Sequence, residues 1–448
     1  MLDWSAYKDA GMGDAYADIP KQGGDFAKAI SVCINSGQCE TERRGVMCPS
    51  FRVSDDPNLS TGGRIRSLKA VLNGDSGDLL SDQSLAASMD LCVACKGCKR
   101  ECENEVDMAM MKVEYLAQRN AVKRPSLRTR LLAGLPKQLN RFPWLRTLVD
   151  IRNHSTLLRQ LGERVIGISA KRSLPVPRKR SFLQNFPGQP HVQTTDPSHE
   201  VVLLVDSFTN RFCPENADAA VEVLKRAGYR VFIAHPSPND PEPTRPLCCG
   251  RTYIANGMIE QARAEARRMT DALAEYIRAG RTLIGLEPAC LLAIRDDYLF
   301  LGLGETARTT SVKALLFEEF IAREIGAKRF QLDLKPIDAN DSPVLIHGHC
   351  HQKAVGAMKS MRKVLKVIPG LDFHMIESSC CGMAGSFGIE AEHAETGMEM
   401  AELSLLPTVR KHPNSRIIAN GFSCRHQIEE GSGRSSIHLA QLLHEASG

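Results

Sequence analysis

Four cysteines near residue 95 carry the most specific chemical signal in this 448-residue chain. Cys92, Cys95, Cys98 and Cys102 have the spacing C-x2-C-x2-C-x3-C. Short loops of this kind turn three thiolates toward one iron–sulfur cubane and send the fourth thiolate to a neighbouring cluster. Zinc sites usually pair two well-separated C-x2-C knuckles, so the spacing favours iron–sulfur ligation.

An earlier cysteine run supplies the partner for this motif. Cys33 and Cys39 flank Ser36, which stands where a middle cysteine would be, and Cys48 follows after a longer loop, before a proline. The run has the form of the first motif with one thiolate missing.

Crossed ligation between the two runs, as in two-cluster ferredoxins, predicts two sites. The first is a complete 4Fe–4S cluster with four thiolates, from Cys48, Cys92, Cys95 and Cys98. The second has three thiolates, from Cys33, Cys39 and Cys102. Three thiolates suit a 3Fe–4S cluster, or a 4Fe–4S cluster whose fourth iron takes Ser36, water or another group.

The other eight cysteines form two matched quartets. Each has one Cys, then Cys-Cys-Gly, then one Cys, at intervals of 35 and 41 residues in the first and 30 and 43 in the second. The repetition indicates an internal duplication. Adjacent cysteines can both reach a metal when the following Gly lets the backbone turn sharply. The sets are Cys213, Cys248, Cys249 and Cys290, and Cys350, Cys380, Cys381 and Cys424.

Four histidines accompany the second quartet. His347 and His349 precede Cys350, His351 follows it, and His426 follows Cys424 closely. Histidine can bind metal or carry protons, although a lone histidine near a strand is more often structural. Both roles stay open for His349, His351 and His426.

The elements that must position these residues divide the chain into parts. Apolar residues at helical spacing predict an all-helical, ferredoxin-like domain over 1–118. Short apolar runs alternating with amphipathic segments predict parallel α/β units from residue 198 onward. The predicted class is therefore α plus α/β, with a basic helical connector over 119–197 and Cys-Cys-Gly units over 198–335 and 336–448. Strands are expected at 201–205, 229–233, 282–286, 344–347, 373–376 and 416–419.

Composition and the lack of targeting signals indicate where this protein is expected to lie in the cell. Hydrophobic residues make up 43% and charged residues 24%, which is enough to bury a core. The first eight residues lack the features of a secretory signal, and no apolar run approaches the roughly eighteen residues that span a bilayer. A cytoplasmic location is therefore expected, where fifteen cysteines should be metal ligands rather than disulfides.

The connector is strongly basic. Residues 119–180 contain sixteen Lys or Arg against two acids, a balance of about +14. Apolar and basic residues alternate as in amphipathic helices, which makes peripheral contact with the inner face of the cytoplasmic membrane, where quinone resides, one candidate role. The alternative is an arm that packs against the two domains or a partner subunit. Nucleic-acid binding is not expected, because aromatic stacking platforms are missing.

The order of these parts resembles the iron–sulfur portion of bacterial FAD-linked D-2-hydroxy acid dehydrogenases, including the fused D-2-hydroxyglutarate dehydrogenases. It is also similar to the iron–sulfur subunits of glycolate oxidase and anaerobic glycerol-3-phosphate dehydrogenase. The stretches at 45–52, 60–68, 91–98 and 420–428 carry the resemblance. The Cys-Cys-Gly units also resemble those of heterodisulfide reductase, which close with C-x2-C where this chain has one cysteine each.

The resemblance implies an electron-transfer subunit. No G-x-G-x-x-G fingerprint follows a strand, so FAD is expected on a separate dehydrogenase subunit. Electrons would pass from that flavoprotein through the ferredoxin clusters, across the connector to the Cys-Cys-Gly domain, and on to quinone or another acceptor. The Cys-Cys-Gly domain is itself a candidate for an additional iron–sulfur cluster. The alternatives are a thiol–disulfide reductase of the heterodisulfide reductase type and a zinc-bound scaffold.

Overall fold

A computed structural model describes residues 1–12, 17–41, 45–74, 81–186, 199–337 and 342–448 of the chain. Within the described part of 1–118 all regular structure is helical, which confirms the all-helical prediction. Ser60 Oγ accepts a hydrogen bond from Gly63 N and Asp107 Oδ1 accepts one from Met110 N, so two of the longer helices begin at side-chain caps. The helices are α1 Gly24–Ser31, α2 Gln38–Thr41, α3 Pro49–Ser54, α4 Thr61–Asn73, α5 Gln83–Asp90, α6 Gly97–Glu101 and α7 Met108–Val122.

The connector is helical, as its pattern predicts. Its helices are α8 Leu127–Ala133, α9 Leu135–Arg141, α10 Leu145–His154, α11 Thr156–Ile166 and α12 Phe182–Asn185. Neither α10 nor α11 buries a residue. Both residues of the predicted boundary, 197 and 198, lie outside the described residues. No described helix is both long and apolar enough to cross a membrane.

The first Cys-Cys-Gly unit is built on a four-stranded parallel sheet in the order β2-β1-β3-β4. Its strands are β1 Glu200–Leu204, β2 Arg230–Ile233, β3 Thr282–Gly285 and β4 Ala314–Leu316. The first three lie at predicted positions, whereas β4 has only three residues and was not predicted. The helices are α13 Ser207–Phe212, α14 Pro214–Arg226, α15 Arg251–Ala255, α16 Ile259–Arg278, α17 Pro288–Arg295, α18 Glu305–Lys313 and α19 Phe317–Gly326.

The second unit repeats this arrangement with a three-stranded parallel sheet in the order β6-β5-β7. The strands, β5 Val344–His347, β6 Phe373–Met375 and β7 Ile417–Ala419, all lie at predicted positions. In both units the first strand in sequence lies between the second and third, so the topology supports the internal duplication. The helices are α20 Cys350–Ala354, α21 Met358–Leu365, α22 Ala394–Glu402, α23 Leu405–Lys411, α24 Phe422–Ser432 and α25 Leu439–Ala446.

The hydrophobic cores cross the boundaries between these parts. One core joins the helical domain to the first unit, with the rings of Trp4 and Phe300 centred 5.2 Å apart. Another joins the two sheets, from Val201 in β1 to Ile346 in β5. Because apolar burial is shared in this way, the three parts stabilise one another.

The helical domain also contacts the second unit directly. Ser379 Oγ donates to Val46 O at 2.5 Å, and His351 Nε2 lies 3.1 Å from Ala94 O. These contacts join the two parts directly, and the expected passage of electrons across the connector stays a prediction. The chain folds back, so elements that are distant in sequence become neighbours without the connector between them.

A histidine with two acidic neighbours ties this contact together. His393 Nε2 lies 2.8 Å from Asp90 in the helical domain, and its Nδ1 lies 3.1 Å from Glu390. Phe387 stacks on the ring with centroids 4.4 Å apart. Burial opposes the charged imidazolium, but hydrogen bonds to Asp90 and Glu390 outweigh it and raise the pKa of His393 to about 9.

We expect this contact to weaken in alkaline solution. Because the folded-state pKa lies above the ordinary 6.5, the stabilisation is complete below pH 6.5 and is lost as the pH rises through about 9. His393→Gln should lower the unfolding free energy at pH 6.5 by on the order of 1–2 kcal/mol. The unfolding free energy of this variant should also change less between pH 6.5 and 9.5 than that of the wild type. The measurement is thermal unfolding at each pH, with His154→Gln, at an 81% exposed side chain, as control. Parallel pH profiles for wild type and His393→Gln would refute this.

Candidate metal centres

The first predicted ligand set lines one cavity. Its four sulfurs come from two separate parts of the helical domain, the N-cap of α3 and the loop into α6. Thr61, Arg64 and Met108 complete the wall. The four cysteines are Cys48, Cys92, Cys95 and Cys98. The structure therefore brings together the four residues that crossed ligation predicts.

The backbone around this cavity is held in an uncommon conformation. Cys48, Ala94 and Lys96 have φ of 51°, 47° and 59°, in the left-handed region that residues other than glycine rarely adopt. Thr61 N donates to Cys48 Sγ at 3.0 Å. Left-handed turns aim consecutive sulfurs at one centre, and an N–H bond to sulfur stabilises a thiolate, so both features fit a cluster.

Electrostatics at the cavity also fit an anionic group. Arg64, 1% exposed, lines the cavity and donates to Ser88 O, Leu59 O and Ser50 Oγ, all neutral acceptors. A buried cation bonded only to neutral groups is costly unless a negative charge lies nearby. Thiolates ligating iron supply such a charge.

Protonation sets the condition for metal uptake. Burial raises the pKa of Cys48 to about 11 and raises the pKa values of Cys95 and Cys98 well above the ordinary range. These residues are therefore neutral thiols without metal, and ligation must release their protons.

The second predicted set lines a separate cavity. Cys33, Cys39 and Cys102 surround it, and Ser36 lies on the same wall at an exposed position. Gly62 N donates to Cys39 Sγ at 3.2 Å, and a side chain on Gly62 would contact that sulfur. The cavity has three thiols and a hydroxyl, as the sequence predicts.

A carboxylate fixes the two runs relative to each other. Glu101, on the short helix between Cys98 and Cys102, accepts from Val46 N and Met47 N, each at 2.7 Å. Gly97 packs so closely on Met47 N that a Cβ there would approach to 2.8 Å. Cys48 is therefore placed beside α6 by backbone contacts that depend on these two residues.

The Cys-Cys-Gly motifs take the sharp turn that their glycines predict. Gly250 and Gly382 have φ of 71° and 83°, and each N–H donates at 3.4 Å to the first cysteine of its pair. A side chain at 382 would overlap Gly397 O at 1.8 Å. All eight cysteines follow the carboxyl ends of parallel strands, where open α/β sheets bind ligands.

In the second unit all four thiols form a buried, hydrogen-bonded run in the order Cys350, Cys380, Cys381, Cys424. Cys350 and Cys380 also pack in one buried cluster with Cys95 of the first ferredoxin site. Two candidate centres therefore share one buried cluster.

In the first unit Cys248, Cys249 and Cys290 form such a run. The fourth predicted ligand, Cys213, has a different described partner. Cys213 Sγ accepts from Arg425 Nη2 of the second unit at 3.4 Å. The two units therefore do not present equivalent ligand sets.

The three singled-out histidines have structural partners. His349 Nδ1 accepts from His351 N at 3.1 Å and caps α20, and His351 itself contacts Ala94 O. His426 Nε2 lies 3.1 Å from Ser173 O in the connector. These contacts hold the helical domain and connector against the second unit.

Sequence reasoning missed the charged residues around the first site. Lys96, 3% exposed, pairs with Asp296 and Asp297, and Lys99 reaches Asp296 at 2.5 Å. Burial opposes the charge on Lys96, but the two aspartates raise its pKa above the ordinary range. The sequence does not indicate that a lysine or arginine inside a cysteine motif is buried. The aspartates that pair with Lys96 are also about two hundred residues away from it in sequence.

Two family models match the chain: a 4Fe-4S dicluster domain over residues 29–106 and a cysteine-rich domain over residues 344–429. The chain is 24% identical over 461 residues to D-2-hydroxyglutarate dehydrogenase of Escherichia coli K12, covering 92% of this chain and 43% of that protein. It is 24% identical to the probable glycolate oxidase iron-sulfur subunit of Bacillus subtilis, covering 93% and 94%.

These matches support an iron–sulfur subunit of the kind found in this dehydrogenase family. A third relative, a subunit of the anaerobic glycerol-3-phosphate dehydrogenase of Escherichia coli K12, is 24% identical over 72% of this chain and 78% of its own length. These relatives and the dicluster match support an iron–sulfur electron-transfer role with a 4Fe–4S cluster. The chain spans less than half the length of the D-2-hydroxyglutarate dehydrogenases that it matches.

Ser36 gives a direct test of the second ferredoxin site. If three thiolates leave this site one iron short, the oxidised wild-type protein shows a three-iron signal in electron paramagnetic resonance. Ser36→Cys should supply the fourth thiolate, remove most of that signal and add about one iron per chain. Ser84→Cys, at an exposed position that lines neither cavity, is the control. A fully loaded wild type with no three-iron signal would exclude the three-iron assignment.

Proposed function

We propose that this chain is the electron-transfer subunit of a two-component dehydrogenase. A partner flavoprotein with bound FAD would oxidise a D-2-hydroxy acid of the D-2-hydroxyglutarate, D-lactate or glycolate type. The iron–sulfur chain would take the electrons and deliver them to quinone or another acceptor. The observation that carries this proposal is the buried cluster that Cys95 shares with Cys350 and Cys380.

The positions of the ligand sets support an order of centres along the electron path. Bound iron–sulfur clusters take up and release electrons singly. Cys102 and Cys98 lie at the two ends of α6, so the second ferredoxin site adjoins the first. Cys95 then adjoins the second quartet. Successive ligand sets in contact support a path that runs from the helical domain into the second unit and an additional centre there.

Several residues of the chain would support such a path. Arg64 places a positive charge at the first site, and hydrogen bonds from Thr61 N and Gly62 N reach one sulfur at each site. Positive charge and N–H bonds to sulfur stabilise the reduced, more negative state of a cluster. Burial of Cys95, Cys350 and Cys380 excludes water from the contact between centres.

The experiment is co-purification of the full chain with its flavoprotein. Under anaerobic conditions the pair should bleach the iron–sulfur absorbance when a D-2-hydroxy acid is added, whereas the isolated chain should not. The matched L-2-hydroxy acid is the control substrate. Absence of any associated flavoprotein, together with disulfide turnover by the isolated chain, would favour the thiol–disulfide reductase instead. Zinc without iron or sulfide would indicate a scaffold.

We also propose that the connector lies on an anionic membrane surface. Trp144, Leu148 and Ile151 are 56%, 51% and 50% exposed and follow one face of the α10 region. Leu157, at 74%, continues the apolar surface onto α11. Exposed apolar side chains at helical spacing, within a segment of about +14 charge, are typical of interfacial helices.

This second proposal predicts vesicle binding that depends on both charge and apolar contact. The chain should bind vesicles containing phosphatidylglycerol, bind neutral vesicles weakly, and dissociate as salt is raised. Leu148→Glu should weaken binding about tenfold or more. Val312→Glu, at a 79% exposed valine outside the connector, is the matched control. Equal sedimentation of both variants with the vesicles would refute the membrane contact.

A further inference from the structure

The duplication makes one position in the two sheets directly comparable. Leu204 in β1 pairs with Gly285, which lies five residues before Cys290. His347 in β5 pairs with Ala419, which lies five residues before Cys424. The same sheet position therefore holds leucine in the first unit and histidine in the second.

His347 lies against two of the buried cysteines. It is 1% exposed, and one of its ring nitrogens and the sulfurs of Cys381 and Cys424 all lie within 4.8 Å of one another. Tetrahedral ligands on one ion, at about 2.0–2.3 Å from it, lie roughly 3.5 Å apart. Among the described residues, no other three ligand atoms that include a cysteine approach so closely. The spacing fits one metal ion.

The hydrogen bonds of the ring leave one nitrogen for that ion. His347 Nδ1 lies 3.0 Å from Ser378 Oγ, which also accepts from Lys353 Nζ at 2.9 Å. Since the lysine uses only one lone pair of that oxygen, Ser378 can accept Nδ1–H through the other. Nε2 of His347 then carries a lone pair. The ring also interacts with the Cys381 thiol, which gives up its proton when the sulfur binds metal.

The neighbouring turn has no room for another ligand. A side chain at Gly421, three residues before Cys424, would meet His349 Cδ2 at 2.5 Å and the Cys424 sulfur at 3.1 Å. A further ligand therefore does not come from position 421, whereas His347 reaches the same cysteines from the end of β5.

We propose that His347 is a metal ligand through Nε2 and that, with Cys381 and Cys424, it holds one metal ion of the centre in the second unit. The ion is iron if this centre transfers electrons, so the choice of metal rests on the function proposed above. The ligand assignment itself rests only on geometry. A neutral imidazole in place of a thiolate makes a centre less negative and raises its reduction potential.

Magnetic resonance on the anaerobically purified full chain tests this assignment. With ¹⁵N-labelled histidine, pulsed electron paramagnetic resonance should show one directly coordinated nitrogen, which all-cysteine ferredoxin sites lack. His347→Gln should lose that coupling and about one metal ion per chain. His347→Cys should retain the ion, lose the nitrogen coupling and lower the midpoint potential of the centre, which a structural histidine would not do. His374→Gln, at an exposed histidine of the same unit, should match wild type.

The wild type alone decides the question if a variant fails to fold. A zinc-edge absorption spectrum showing one imidazole and two sulfurs per ion would support the ligand assignment and would remove this centre from the electron path. Only sulfur ligands at every metal, or an unchanged nitrogen signal in His347→Gln, would overturn the proposal. Flavoprotein-dependent reduction of the ferredoxin sites is a separate readout, so the two proposals can fail independently.

Discussion

The loop from Cys92 to Cys98 is the constraint on which the rest of the structure depends. Its left-handed residues, Ala94 and Lys96, turn three sulfurs to one side. The opposite side must then contact protein, because a strained loop persists only where its surroundings hold it. His351 meets Ala94 O from the second unit, and Asp297 meets Lys96 from the first. Metal ligation and domain assembly are therefore coupled at this loop.

That coupling explains why charge is buried here. Lys96 and Lys99 of the helical domain pair with Asp296 and Asp297 of the first unit. Asp107 also pairs with Lys99 within the helical domain, and Arg251 with Asp297 within the first unit. Equal numbers of cations and anions leave the network close to neutral. Buried ion pairs contribute little net stability, but breaking one leaves a costly unpaired charge, so the network selects a single docked arrangement. Apolar cores shared between the parts supply the favourable free energy.

Sequence reasoning succeeded where the signal is local. The strands at Val201 and Val344, the helical spacing before residue 118 and the turn at each Cys-Cys-Gly follow from neighbouring residues, and all were confirmed. Crossed grouping of the ferredoxin cysteines also followed, because the motif itself implies it. Contacts between distant segments did not follow. Nothing in the residues around Cys213 indicates that its sulfur meets Arg425, or that the second quartet packs against Cys95.

The central claim is that two ferredoxin sites share their ligands across two cysteine runs and that the first site adjoins the Cys-Cys-Gly region. Electron paramagnetic resonance and Mössbauer spectra of four single variants test the sharing most directly. The account predicts that Cys48→Ser perturbs the same cluster as Cys92→Ser, and that Cys102→Ser perturbs the same cluster as Cys33→Ser. If Cys48→Ser instead perturbs the same cluster as Cys33→Ser, and Cys102→Ser the same cluster as Cys92→Ser, each run binds its own cluster and the account is contradicted.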